Sequence, residues 1–218
     1  MGPTTGGGSR RGTIAAALLA AGQGSRYGAR PKLTEPLAGR AVVAWALDAA
    51  RASGLAPLVL VLGREADAVL AAAEVGDERS TDFAVVRNVR WSSGIASSLR
   101  AALTALEPVP EVDAVVIGLG DQPGVGPEAY RRVGSAYHSG ARLGVATYSG
   151  VRANPVLLAR EHWHEALGLE GDEGARVLMR RHPVVEVPCD GTGEPTDIDT
   201  PHDLAALEAR WRSPTDSE

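Results

Sequence analysis

One cysteine, Cys189, stands in the whole chain, so no intrachain disulfide can form, and no cysteine-based metal cluster can be assembled around it. Its plain reading is a half-buried strand residue. A single thiol in 218 residues suits a reducing compartment, and a cytoplasmic location is expected. Positive charge is also short. Lys and Arg total 22 against 27 Asp and Glu, a formal net charge of −5, which excludes nonspecific nucleic-acid binding and attraction to anionic membranes as organising functions. No stretch approaches the roughly 20 apolar residues of a membrane span. Arg10-Arg11 followed by Ile14 to Ala21 mimics an export signal, but the apolar part is short, and cleavage after Ala21 would delete the strand that presents the next loop. Internal repeats are absent. The five histidines make no catalytic pattern: His162 and His164 flank Trp163, diverge on a helix and have no third ligand clustered nearby, so zinc is not expected.

Two familiar phosphate loops are missing as well. Lys32 lies between Pro31 and Leu33 with no hydroxyl beside it, unlike a P-loop, and the glycines at 22, 24 and 28 miss the G-x-G-x-x-G dinucleotide spacing by one position. What is present is the stretch Leu19-Ala20-Ala21-Gly22-Gln23-Gly24-Ser25-Arg26-Tyr27-Gly28-Ala29-Arg30-Pro31-Lys32, where a buried strand runs into a cationic glycine loop. Glycines let backbone N–H groups converge on an anion, and Arg26 and Lys32 add the charge a polyphosphate requires, with Lys32 expected to be solvated as a loop lysine beside glycines.

Around this loop the chain alternates. Helices are expected at 41–53, 65–73, 94–106 and 127–139, and strands at 57–62, 83–86, 114–118 and 143–147. Strands such as Ala114-Val115-Val116-Ile117 are apolar throughout, which means burial on both faces. The expected fold is therefore a three-layer α/β domain over 13–212 with a mostly parallel sheet, flanked by tails at 1–12 and 213–218. Past Tyr148 the pattern loosens into a substrate-side excursion: a short strand at 156–158, helices at 160–167 and 173–181, and an edge strand at 184–187. Thr200, Pro201 and Asp203 read as N-cap, N1 and N3 of a last helix.

Asp121 follows the strand at 114–118 in Gly120-Asp121-Gln122-Pro123, where a carboxylate can hold Mg²⁺ or, as the plain alternative, cap a turn. Asp197 and Asp199 share one side of an extended segment; either can be a second metal ligand or a helix-start acid, and Asp199 is preferred. Ser97 and Ser98 open a helix, where they contact a nucleotide or satisfy first-turn N–H groups.

The glycine loop resembles the L-A-A-G-x-G-x-R-x-G-x-x-x-K signature of the MobA-like nucleotidyltransferases, within them the molybdenum cofactor cytidylyltransferases. Four further segments follow in family order: Asn88 to Leu99, Gly120 to Pro123, Asn154-Pro155-Val156, and Gly171 to Arg176 with Asp197 to Pro201 behind it. The resemblance implies a Rossmann-like nucleotide-diphospho-sugar-transferase-type fold. It also implies Mg²⁺-dependent transfer of CMP from CTP to a phosphorylated pterin, molybdopterin, with a molybdoenzyme as receiving partner. Leu19, Ala20, Ala21, Gly22, Gly24, Arg26, Lys32 and Ser98 would bind nucleotide; Arg26, Lys32 and Asp121 would act in catalysis; Asp121 and Asp199 would hold the metal. Asn154, Asp172 and Arg176 would face the acceptor. Leu-Ala-Ala-Gly in place of Leu-Ala-Gly-Gly points to CTP, with the Ala21 methyl filling room a purine needs. The alternatives are a GTP-using relative, a MobA-like NAD(P)H oxidoreductase and a non-catalytic cofactor carrier.

Overall fold

A computed structural model describes residues 12–22, 31–74 and 82–212. Apart from Gly12, the two expected tails lie outside them. In chain order the elements are β1 (Thr13–Ala20), a tight hairpin of β2 (Pro36–Leu37) and β3 (Arg40–Ala41), α1 (Val42–Ala52), β4 (Leu58–Leu62), α2 (Ala66–Glu74) and β5 (Ala84–Arg87). Then come α3 (Ile95–Leu106), β6 (Val112–Leu119), α4 (Pro127–His138), β7 (Leu143–Tyr148), β8 (Val151–Ala159), α5 (Trp163–Leu167), β9 (Val185–Pro188) and α6 (Pro201–Arg212). Short 3-10 turns occupy Lys32–Thr34, Trp91–Ser93, Arg160–His162 and Ala175–Arg180.

Seven strands form one sheet in the order β5-β4-β1-β6-β8-β7-β9. β8 runs antiparallel to both neighbours, and every other pairing is parallel. β1 is buried on both sides: Ala16, Leu18 and Ala20 enter one core with residues of α1, α2, α4 and α6, while Ala15, Ala17 and Leu19 enter the other with α3 and α5. That two-sided burial is why its sequence does not alternate, and it gives the three layers expected from the sequence.

The looser region after Tyr148 is more regular than its sequence suggests. Ser149 and Gly150 both take positive φ, 49° and 77°, and close a two-residue turn between β7 and β8, so the strand begins at Val151 and not at 156. Pro155 hid this, since proline cannot donate within a central strand. Register slips between Val145 and Ala146, leaving Asn154 and Pro155 out of step in a bulge, and this re-aims the Asn154 side chain. The helix expected at 160–167 starts as a 3-10 turn. That expected at 173–181 is entirely 3-10 and ends one turn before Pro183, whose ring disfavours helical backbone in the residue before it. Cys189 lies one residue past β9 and is fully buried, not half-buried.

Candidate active site

Because β1, β4, β5 and β6 are parallel, their carboxyl ends open on one edge of the sheet, and β1 is the strand from which the order runs out in both directions. Such an edge is where α/β sheets bind ligands. Gly22 follows β1 and is exposed there. Gly120 follows β6; its N–H donates to the Leu19 carbonyl at 2.9 Å, and a Cβ at residue 120 would stand 2.9 Å from that of Ala20. Glycine at this position lets the strand ends close up and delivers Asp121 beside the end of β1.

Lys32 completes the site. Its Nζ donates to Asp121 Oδ2 at 2.6 Å and to Asp199 Oδ1 at 3.0 Å, although 89 and 167 residues separate the partners. The lysine is 8% exposed, which corrects the expectation of a solvated loop residue: the 3-10 turn at Lys32–Thr34 folds it back over the strand ends. Burial by itself would lower its pKa, but the facing charges and hydrogen bonds of Asp121 and Asp199 more than compensate and hold it above the ordinary lysine value.

The two acids arrive by different routes. Ile198, fully buried, donates its N–H to the Asp121 carbonyl at 2.9 Å and so pins the 197–199 segment to the Asp121 turn. Asp199 is then fixed by a reciprocal cap at the start of α6: Asp203 Oδ2 accepts from the N–H groups of Asp199 (3.1 Å) and Thr200 (2.7 Å), while the Asp203 N–H donates to Thr200 Oγ1 at 3.2 Å. Asp197 faces elsewhere. Its Oδ1 accepts from Gln122 Nε2 at 2.8 Å, and partial burial, with the Asp121 charge nearby, pushes its carboxyl above the usual aspartate range. Gln122 in turn accepts from Asn154 Nδ2 at 3.0 Å, so the β8 bulge is tied to Asp197 through one buried amide.

Asn88, just past β5, organises the other wall. Its Nδ2 donates to Ser97 Oγ at 2.8 Å and to Ser98 Oγ at 3.1 Å, all three side chains being buried. Ser97 Oγ also donates to the Arg90 and Gly94 carbonyls, so Asn88→Ala should cost about 1–3 kcal/mol by leaving the Ser98 hydroxyl and the Arg90 N–H without Asn88. Chemical denaturation of parent and variant checks this; a cost under about 0.5 kcal/mol would mean the serines repartner freely. Gly94, at φ 97°, has no room for a Cβ, which would fall 2.2 Å from the Gly171 carbonyl. The same carbonyl accepts from Ala96 N–H at 3.1 Å and sets Asp172 at the start of α3.

Of the residues expected at the site, Lys32, Asp121 and Asp199 meet directly, while Asn154 reaches Asp197, not that cluster, through Gln122. Ser98 and Asp172 lie on the α3 side, and Arg176 is exposed on the following 3-10 turn. Leu19, Ala20 and Ala21 are buried at the end of β1. Ala21 is 2% exposed in one apolar cluster with Val61 and Trp91, so its methyl does not line space for a base. Gly24 and Arg26 lie outside the described residues. Gln122 and Asn88 were not assigned roles from sequence, and each sat in plain view inside a motif.

Two carboxylates gathered about a cation beyond the carboxyl ends of parallel strands suit an α/β enzyme that handles phosphorylated ligands. A model of the MobA-like NTP transferase domain matches residues 16–187, and the chain belongs to that family of nucleotidyltransferases. It is 32% identical over 207 residues to nicotine blue oxidoreductase of Paenarthrobacter nicotinovorans, covering 89% of this chain and 96% of that protein. Among solved structures it is similar to Rv0371c from Mycobacterium tuberculosis H37Rv at 34% identity and TM-score 0.78, over 91% of this chain and 98% of that one. A manganese complex of Rv0371c matches at 33% identity and TM-score 0.73, over 90% and 98% of the two chains.

Proposed function

We propose that the protein transfers CMP from CTP to a phosphorylated pterin of the molybdopterin class, with Mg²⁺ as cofactor. The observation that carries this reading is the Lys32–Asp121–Asp199 cluster beside Gly22. Asp121 and Asp199 already direct oxygens at one cationic nitrogen, and hard oxygen donors suit Mg²⁺ or Mn²⁺, so this donor set fits a divalent ion. The manganese complex of the similar Rv0371c supports a divalent ion here. Bound between Asp121, Asp199 and the nucleotide, the ion would supply neutralising charge for phosphate oxygens.

An acceptor phosphate oxygen attacks the α-phosphorus; the new P–O bond forms as the bond to the bridging oxygen breaks, and pyrophosphate departs with that oxygen and its electron pair. No nucleophilic side chain is required. Lys32, kept protonated by its two partners, supplies positive charge to the leaving phosphates. Gly22 and the loop after it, with Arg26, position the triphosphate. Asn154, beside Gln122, and Asp172, beside the start of α3, orient the acceptor, with Arg176 pairing its phosphate. A cytoplasmic molybdoenzyme would receive the product.

The similarity to nicotine blue oxidoreductase favours a second reading, reduction of a pigment-like substrate by NAD(P)H. One thermal-shift panel separates the readings: CTP, GTP, ATP and NADPH, each with and without Mg²⁺. The expected result is stabilisation by CTP only when Mg²⁺ is present, by about 2.7 kcal/mol at a hundredfold excess over its dissociation constant. A metal-independent response to NADPH alone would replace transfer with reduction, and a larger response to GTP would replace the base.

A further inference from the structure

The expectation that His162 lacks further ligands does not hold in three dimensions. His162 closes the 3-10 turn before α5, Glu165 lies one helical turn on, and His182 returns from beyond the 3-10 helix at Ala175–Arg180. One ligand atom from each falls within 4.8 Å of the other two. The imidazoles face each other with centroids 4.6 Å apart, and His182 Nε2 is 2.6 Å from Glu165 Oε2. His164 is exposed and takes no part.

We propose that His162, Glu165 and His182 form a binding site for a zinc-class divalent ion, separate from the nucleotide site. Two imidazoles and a carboxylate are a borderline-soft donor set, which Zn²⁺ prefers and Mg²⁺ does not. In tetrahedral zinc with bonds near 2.0–2.1 Å, neighbouring ligand atoms stand about 3.4 Å apart. The present cluster brackets that spacing, so modest side-chain rotation brings all three onto one ion. Glu165 is braced for the task. Its Oε1 accepts from Arg181 Nη1 at 3.0 Å, which leaves Oε2 for the metal and supplies the outer-shell partner a ligating carboxylate needs.

The ion would occupy the place now held by the His182–Glu165 hydrogen bond. With three protein ligands, the fourth position is left for water, since the histidine and glutamate side chains are each 16–33% exposed. Its effect is structural: it fastens the 175–182 segment, which follows the Gly171–Gly94 contact, onto α5.

The test uses the full chain without a histidine tag, carrying Asp121→Asn so that the nucleotide-site acids do not take up the ion. Zinc is titrated against a competing chromophoric chelator, and Co²⁺ is added to the same protein to read visible absorption. The site predicts one zinc per chain, a Co²⁺ band of four-coordinate intensity, and at least tenfold weaker zinc binding in His162→Gln and in His182→Gln, with His164→Gln unchanged. The Co²⁺ band needs no variant beyond Asp121→Asn, so it reads the site even if the histidine variants fold poorly. Zinc taken up equally by His162→Gln and His182→Gln, loss in only one of them, or no uptake and no Co²⁺ band would each overturn the proposal.

Discussion

Lys32→Ala should slow nucleotidyl transfer by about 10²–10³-fold at saturating CTP and Mg²⁺, the effect of removing one preorganised charge-stabilising group from a transition state. It should also do what a solvated lysine would not. Without the ammonium, Asp121 and Asp199 confront each other across a gap the lysine now fills at 2.6 and 3.0 Å. The resulting loss of stability is about 1–3 kcal/mol, toward the lower end because the Asp199 side chain is 48% exposed and water screens it. Mg²⁺ should then raise the melting temperature of the variant more than that of the parent, since the ion replaces the missing charge. The pH dependence follows from the raised lysine pKa: the ion pairs contribute fully below the ordinary lysine value near 10.5 and are lost as pH rises through the higher folded value. Parent and variant should therefore differ by a constant amount across neutral pH and converge only in strong alkali. Melting curves with and without Mg²⁺, beside single-turnover rates, check both halves. A variant with parental rate would remove Lys32 from the chemistry, and one with parental stability would make its ion pairs energetically empty.

The layered fold was legible because β1, β4 and β6 are apolar without alternation, a pattern that few architectures besides a covered parallel sheet tolerate. The positions of Asp121 and Asp199 were legible too, one after a strand and one before a helix cap. Their meeting was not. It depends on Ile198 hydrogen-bonding to the Asp121 carbonyl, a contact across 77 positions that no local pattern encodes. Lys32 was misjudged for the same reason: a lysine beside glycines looks solvated until the strands that flank it are known. Ala21 shows the converse error, since the motif fixed its place on the chain but only the apolar cluster it shares with Val61 and Trp91 fixes where its methyl lies. The Ser149-Gly150 turn was present in sequence as a hairpin signal and was masked by Pro155, whose bulge resolves the conflict. His162 and His182, 20 positions apart, have no periodic relation at all.

Asp121→Asn should abolish the Mg²⁺ dependence of CTP binding and cut the transfer rate by several kcal/mol of transition-state stabilisation, while the fold loses little. The reasoning separates two duties of the residue. Its backbone carbonyl accepts from Ile198 N–H at 2.9 Å, and no side-chain substitution touches that bond. Its carboxylate faces Lys32, and an asparagine oxygen can still accept from the ammonium, though as a neutral and weaker partner. Lys32 keeps Asp199, so the lysine is not stranded, and the stability change should stay under about 1 kcal/mol. A hard divalent ion is less forgiving, because it binds by charge and Asn halves the pair of carboxylates available to it. If Asp121 were only a turn cap, the amide would preserve the turn and the Mg²⁺ response of CTP binding would stay as in the parent. Isothermal titration of CTP into parent and variant across a Mg²⁺ series decides between them. An Asp121→Asn protein whose CTP affinity still climbs with Mg²⁺ as the parent's does would move the metal to Asp199 with Asp197, whose carboxyl now leans on Gln122 and would have to turn away from it.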